Sequence, residues 1–173
     1  MPLLFSSILS SVLLFSALIP SPCEDQYGNA VDWGKFSHKP FVLVLADRSS
    51  ASSSRSIGAA LHAHFNGNWI AGKTSLQTDD VRDRVKIIPV AELPHVPDLA
   101  KWLFQKGFQL GASDLGVILD YDGALGSEVK YSHGILLVLR LPNKDTVLQH
   151  QTSEATDAID WVSRSVSSVQ AAK

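Results

Sequence analysis

The chain holds one cysteine and one methionine in 173 residues, and its fifteen Lys and Arg nearly balance seventeen Asp and Glu, for a formal charge of −2. A single cysteine excludes an intramolecular disulfide, a CxxC redox pair and a cysteine-built zinc site. Balanced charge gives no basic field, so no nucleic-acid partner is expected and nothing draws the chain to an anionic surface. Internal repeats and long charge runs are missing too. What is present is 45% hydrophobic residues against 18% charged ones. That composition excludes a disordered chain and suits one globular domain.

Leu3 to Ile19 carries no charge and is interrupted only by serines. At about 1.5 Å per helical residue it spans roughly 25 Å, short of a hydrocarbon core of about 30 Å. It reads as the apolar centre of a signal peptide covering 1–23, with Ser21 and Cys23 as the small residues of the cleavage site. Its opening lacks the usual Lys or Arg. Cleavage after Cys23 leaves a thiol-free domain over 24–173, secreted or periplasmic. Two alternatives involve a membrane: an uncleaved signal acting as anchor, or lipidation of Cys23, which Pro20-Ser21-Pro22 suits poorly. The plain reading of Cys23 is an unmodified residue in a flexible leader.

Beyond it, Asp25 to Val31 places a Gly28-Asn29 turn between short extended pieces, with Trp33 and Phe36 as apolar anchors. Phe41 to Ala46 is continuously apolar, as a strand buried on both faces is. A Ser-rich loop, 47–55, leads into a helix over 54–65, with Ile57, Leu61 and Phe65 four apart. A strand over 85–90 contains Pro89, which argues for a strand end or sheet edge. Leu99, Trp102, Leu103 and Phe104 form the apolar side of a helix over 97–108. A strand over 115–119 runs into the turn Asp120-Tyr121-Asp122-Gly123. Strands over 135–141 and 146–149 make a hairpin, and a helix over 153–169 closes the chain, with Ser153 positioned to cap it. This alternation predicts an α/β domain with a mixed sheet between helices, long enough to bury a core without disulfides.

Three stretches resemble motifs of the thioredoxin-like superfamily, in the branch of peroxiredoxins and exported thiol-disulfide proteins. Asp25 to Val31 is similar to a D-x-x-G-x-x-V opening, Lys39 to Ala46 to KPVVLNFWA, and Leu119 to Gly123 to L-D-x-D-G. The resemblance covers about 24–169 with the terminal hairpin and helix, and implies a three-layer α/β/α sandwich with a mixed central sheet. In such proteins the redox cysteines follow the first core strand at a helix N-terminus, which stabilises a thiolate. Counting from Lys39-Pro40 puts those positions at Ser50 and Ser53, where a hydroxyl cannot exchange disulfides. Where the family places a substrate-contacting cis-proline, before Ile135, this chain has His133-Gly134.

The resemblance and its departures together imply an exported, redox-inactive module that binds a protein or other ligand outside the cytoplasm. Its expected surface is Asp47, Arg48, Ser50, Ser53 and Arg55 with His133 and Gly134; no cofactor is expected. The alternative is a thiol-independent enzyme, a serine hydrolase using that loop with a base from His62, His64, His95 or His133, although no G-x-S-x-G elbow is present. The helix start with Arg48 and Arg55 also suits a small anion. A redox protein working through a partner's thiol would need Cys23 to survive processing.

Two metal motifs are weak. His62 and His64 stand about 200° apart on a helix, so one ring is expected exposed and the other packed. Asp120 and Asp122 open like a calcium loop, but Tyr131 stands where the closing Glu belongs. Of the four tryptophans, Trp69 is the expected exposed one and the others core.

Overall fold

A computed structural model describes residues 13–14, 23–36, 38–67, 83–110, 115–142 and 146–170. The strands are β1 (Leu13–Leu14), β2 (Glu24–Asp25), β3 (Phe41–Ala46), β4 (Lys86–Glu92), β5 (Ile118–Asp120), β6 (Ile135–Arg140) and β7 (Thr146–Gln151). The helices are α1 (Ala51–Asn66), α2 (Asp98–Leu110), α3 (Ala124–Glu128) and α4 (Ala155–Gln170), with a 3-10 turn at Trp33–Phe36. One sheet runs β1-β7-β6-β3-β4-β5-β2. It is mixed: β3, β4 and β5 are parallel, while β6, β7, β1 and β2 join antiparallel.

The apolar run Phe41–Ala46 becomes the buried centre of the sheet, between β4 and β6. Its alternate residues serve two cores. Val42, Val44 and Ala46 face Ile57 and Leu61 of α1 and Ala158 and Val162 of α4. Phe41, Leu43 and Leu45 face Trp33, Phe36 and the α3 residue Leu125. Phe104 and Phe108 of α2 cover Ala91 and Leu119 at the β4–β5 side. The expected layered α/β/α arrangement with a mixed sheet is what the chain forms.

Several expectations are corrected. Pro89 lies in an interior strand, opposite Val44 of β3. Lys86 N–H donates to the Pro40 carbonyl on the β3 side. Strand alternation then turns the Pro89 nitrogen the other way, where β5 begins pairing only at Val90, so no ladder bond is lost. The serine loop is shorter than expected, because α1 starts at Ala51 and takes Ser52, Ser53 and Ser54 into its first turns. Thr152, not Ser153, tends the start of α4, its Oγ1 accepting the Glu154 N–H at 3.1 Å.

α3 was not expected; five residues are too few to show a period. Leu99, Trp102 and Leu103 face outward, at 89%, 59% and 55% exposure, because α2 packs through Phe104 and Phe108 instead. Trp102 is thus an exposed tryptophan, Trp33 is core, Trp161 stacks on His150 at 5.2 Å, and Trp69 lies outside the described residues. Cys23 is no flexible leader residue: it is 4% exposed in the core with Trp33 and Phe41.

Candidate functional site

The carboxyl end of β3 runs into a tight turn, Arg48 to Ser50, before α1. Asp47 organises it. Its Oδ1 accepts Ser49 Oγ–H at 2.6 Å and the Ser50 N–H at 2.8 Å, and its Oδ2 accepts the Gly134 N–H at 3.2 Å. These donors, Ser49 first, hold the Asp47 carboxyl down at about 2. Asp47 therefore ties together two segments that the sequence keeps 87 residues apart. Gly134 (φ +79°) suits this turn, and its carbonyl accepts the Tyr131 hydroxyl at 2.9 Å.

The expected site residues divide into three groups. Asp47, Ser50 and Gly134 meet directly. Arg48 and Arg55 line one cavity with Asp47. Ser53 and His133 stand exposed; His133 Nδ1 is 2.9 Å from Ser132 Oγ, and its carbonyl accepts Gln151 Nε2–H. Tyr131 was not anticipated, and a single tyrosine before an apolar strand offers no signal by which to find it.

A serine hydrolase needs a histidine on its nucleophile. Among the described residues none is hydrogen-bonded to Ser49, Ser50, Ser53 or Ser54; Ser54 Oγ–H instead donates to the Ala51 carbonyl. His62 is buried and His64 exposed, as their spacing predicts. Burial keeps the His62 ring below its ordinary pKa, only partly offset by Asp83 at 3.9 Å. Asp120 is not the start of a calcium loop. Its carboxylate accepts the N–H groups of Ala124, Leu125 and Gly126 at the start of α3. No group of three metal-ligating side chains occurs among the described residues.

Cys23 lies on the α3 side of the sheet, where burial first and then Asp120, Glu92 and Asp122 push its thiol up to about 12. A lipid on that sulfur would have to leave the core. Glu92 and Asp120 pair in register at the ends of β4 and β5, 7% and 2% exposed. Burial, then Asp120, raises the Glu92 carboxyl to about 8. Glu92 Oε1 has no hydrogen-bond partner among the described residues, and a proton on this carboxyl both removes the repulsion and supplies a donor. Each acid ends an apolar strand in the sequence, and only the parallel register of β4 and β5 brings the two together.

A cavity of about 550 Å³ opens beside the serine turn, between α1 and α2 over β4. Its walls are mostly apolar, with Ala59 and Ala63 on one side, Phe104 and Phe108 on the other and Pro89 beneath. α1 runs antiparallel to β3 and β4, so Asp47, Arg48 and Arg55 sit at one end and His62 at the other. Its size falls within the roughly 300–1,000 Å³ usual for ligand sites.

The fold has relatives among solved structures. An exposed lipoprotein thioredoxin of Streptococcus pneumoniae, Etrx1, superposes with a TM-score of 0.58 at 14% identity, over 83% of this chain and 96% of that one. The thioredoxin domain of a thiol-disulfide oxidoreductase from Bacteroides vulgatus gives 0.55 at 13% identity, over 89% and 98%. Copper-bound yeast Sco1 gives 0.57 at 12% identity, over 86% and 91%. The chain has the thioredoxin-like fold. No family model and no curated protein matches its sequence. On this thioredoxin-like frame, Ser50 and Ser53 occupy the start of the helix after the central strand, and the chain's one cysteine is on the opposite face of the sheet.

Proposed function

We propose that this chain is an exported, redox-inactive thioredoxin-like module that binds a partner protein or ligand through the Asp47–Arg55 segment and the adjoining His133-Gly134 turn. The observation that carries it is the Asp47 bridge: a built, charge-assisted connection joins these two segments, yet the helix start it organises bears serines. Thiol chemistry requires an accessible thiolate. Cys23 offers none, with its thiol at about 12 inside the core. A place beside exported thiol-disulfide proteins and peroxiredoxins belongs to the same proposal. Export is supported by the uncharged Leu3–Ile19 segment and by a fold neighbour described as an exposed lipoprotein. No helix among the described residues is long and apolar enough to cross a membrane.

The test pairs two measurements on the full chain. Reduction of insulin disulfides by dithiothreitol should proceed no faster with the protein than without it. A photo-crosslinker at Arg48 should capture a partner from the exported fraction, and Ser50→Arg should abolish capture while the far-UV circular dichroism stays native. Disulfide turnover that disappears in Cys23→Ala overturns redox inactivity; capture indifferent to Ser50→Arg overturns the binding surface.

A further inference from the structure

The cavity between α1 and α2 has an uneven distribution of charge that says what would fill it. Its interior is apolar, with Phe104 and Phe108 facing Ala59 and Ala63 across Pro89. At the end nearest the serine turn it carries two cations, Arg48 from the turn and Arg55 from the second turn of α1. Neither guanidinium has a hydrogen bond or ion pair among the described residues. The nearby anion, Asp47, is already committed to Ser49, Ser50 and Gly134. Glu92 contributes to the lining, but strand alternation carries its side chain to the other face, beside Asp120. Among the described residues, the far end is lined by the His62 ring and by no further fixed charge.

An incoming carboxylate therefore meets uncommitted guanidinium groups, whose planar fork matches its two oxygens. The rest of the ligand meets carbon. A sugar or nucleotide would leave its hydroxyls unpaired against alanine and phenylalanine, at the cost that buried unpaired polar groups carry. A cationic amphiphile would meet repulsion at the mouth. We propose that this cavity binds a small amphiphilic monocarboxylate, with its carboxylate at Arg48 and Arg55 and its apolar body against Phe104 and Phe108. The inference rests on the binding-module reading and supplies that site's ligand class.

Octanoate, 1-octanol and octylammonium share an apolar body and differ in head group. Titrated calorimetrically into the full chain, octanoate should bind about tenfold more tightly than 1-octanol, and octylammonium should not bind. Arg55→Gln should weaken octanoate roughly tenfold and leave 1-octanol unchanged, the loss expected for a charge-assisted contact. Ala59→Trp fills the cavity from an exposed helix position and should remove both; Ala63→Phe is the second filling variant if the first does not fold. Equal affinity for octanoate and 1-octanol, octanoate binding unaffected by Arg55→Gln, undiminished binding in a folded filling variant, or no binding at all overturns the proposal. Partner capture at Arg48 separates the two readings. Capture without octanoate binding overturns the cavity ligand alone, and octanoate binding without capture overturns the protein partner alone.

Discussion

Gly126 and Glu92 fit together because Gly126 has no side chain: a β-carbon there would lie 2.8 Å from Glu92 Oε1 and 2.9 Å from Oε2. Gly126 N–H is at the same time held by Asp120 Oδ2 at 3.4 Å, so α3 has little room to retreat. Gly126→Ala should cost about 1–3 kcal/mol, the range for overpacking a filled site. Urea denaturation should show a lower midpoint, and the loss should shrink in a Glu92→Ala background, where the obstructing carboxyl is gone.

The same carboxyl makes stability depend on pH. Glu92 is raised from 4.5 to about 8 in the fold, so the folded chain holds this proton more tightly than the unfolded one. Its contribution is fully present below about 4.5 and is lost as pH rises through about 8. His62, lowered by burial, acts with the opposite sign, its contribution present above its unfolded pKa and lost as pH falls. Subtracting the profile of Glu92→Gln from that of the wild type cancels His62. The difference should decline between pH 5 and pH 8.5, and a flat difference would show that Glu92 does not hold the proton.

Much of this arrangement could be read from residue order, and the failures have physical causes. Phe41–Ala46 and Ile135–Leu139 declare themselves because strands in the middle of a covered sheet are apolar at every position. Pro89 misled because a missing N–H is harmful only where a neighbour waits for it, and the level at which β5 starts is a tertiary fact. Trp102 misled because α2 has two apolar faces, and only the fold chooses between Phe104 with Phe108 and Leu99 with Trp102 and Leu103. Among the expected site residues, Asp47, Ser50 and Gly134 come together because β3 ends beside the start of its neighbour β6, Ala46 opposite Ile135. The α1–α2 cavity was not foreseen, since its walls come from separate helices and its alanines look like ordinary helix formers.

Cys23 should be silent toward thiol reagents. With the sulfur buried and its pKa near 12, the thiolate fraction at pH 8 is on the order of 10⁻⁴, and the core blocks access to it. Native protein should not release thionitrobenzoate from Ellman's reagent over an hour, whereas protein in 6 M guanidinium, roughly the strength that unfolds most domains, should release one equivalent within minutes. Rapid release from native protein would mean that Cys23 leaves the core.

Asp47→Asn should loosen both segments that the carboxylate joins. The amide keeps one acceptor oxygen but loses the charge that strengthens the bonds to Ser49, Ser50 and Gly134. Hydrogen exchange at the Ser50 and Gly134 amides should accelerate by about tenfold, the equivalent of roughly 1.4 kcal/mol in local opening. Amides of β3 should be unaffected. The wild type should show the same acceleration only as the pH falls from about 4 toward 2, where the carboxylate takes up its proton.

The order of strands in the sheet also sets when this protein can fold. β3 pairs on one side with β6, Phe41 opposite Arg140, so this half of its pairing joins residues far apart in the sequence. Pairing across such a distance pays its loop entropy before any contact repays it, and folding is correspondingly slow. During synthesis, β3, α1 and β4 leave the ribosome with half of the central strand's edge open. No closed core exists until β6 follows. On the proposed export route, a translocation channel that threads only extended polypeptide would meet this chain before its core has closed.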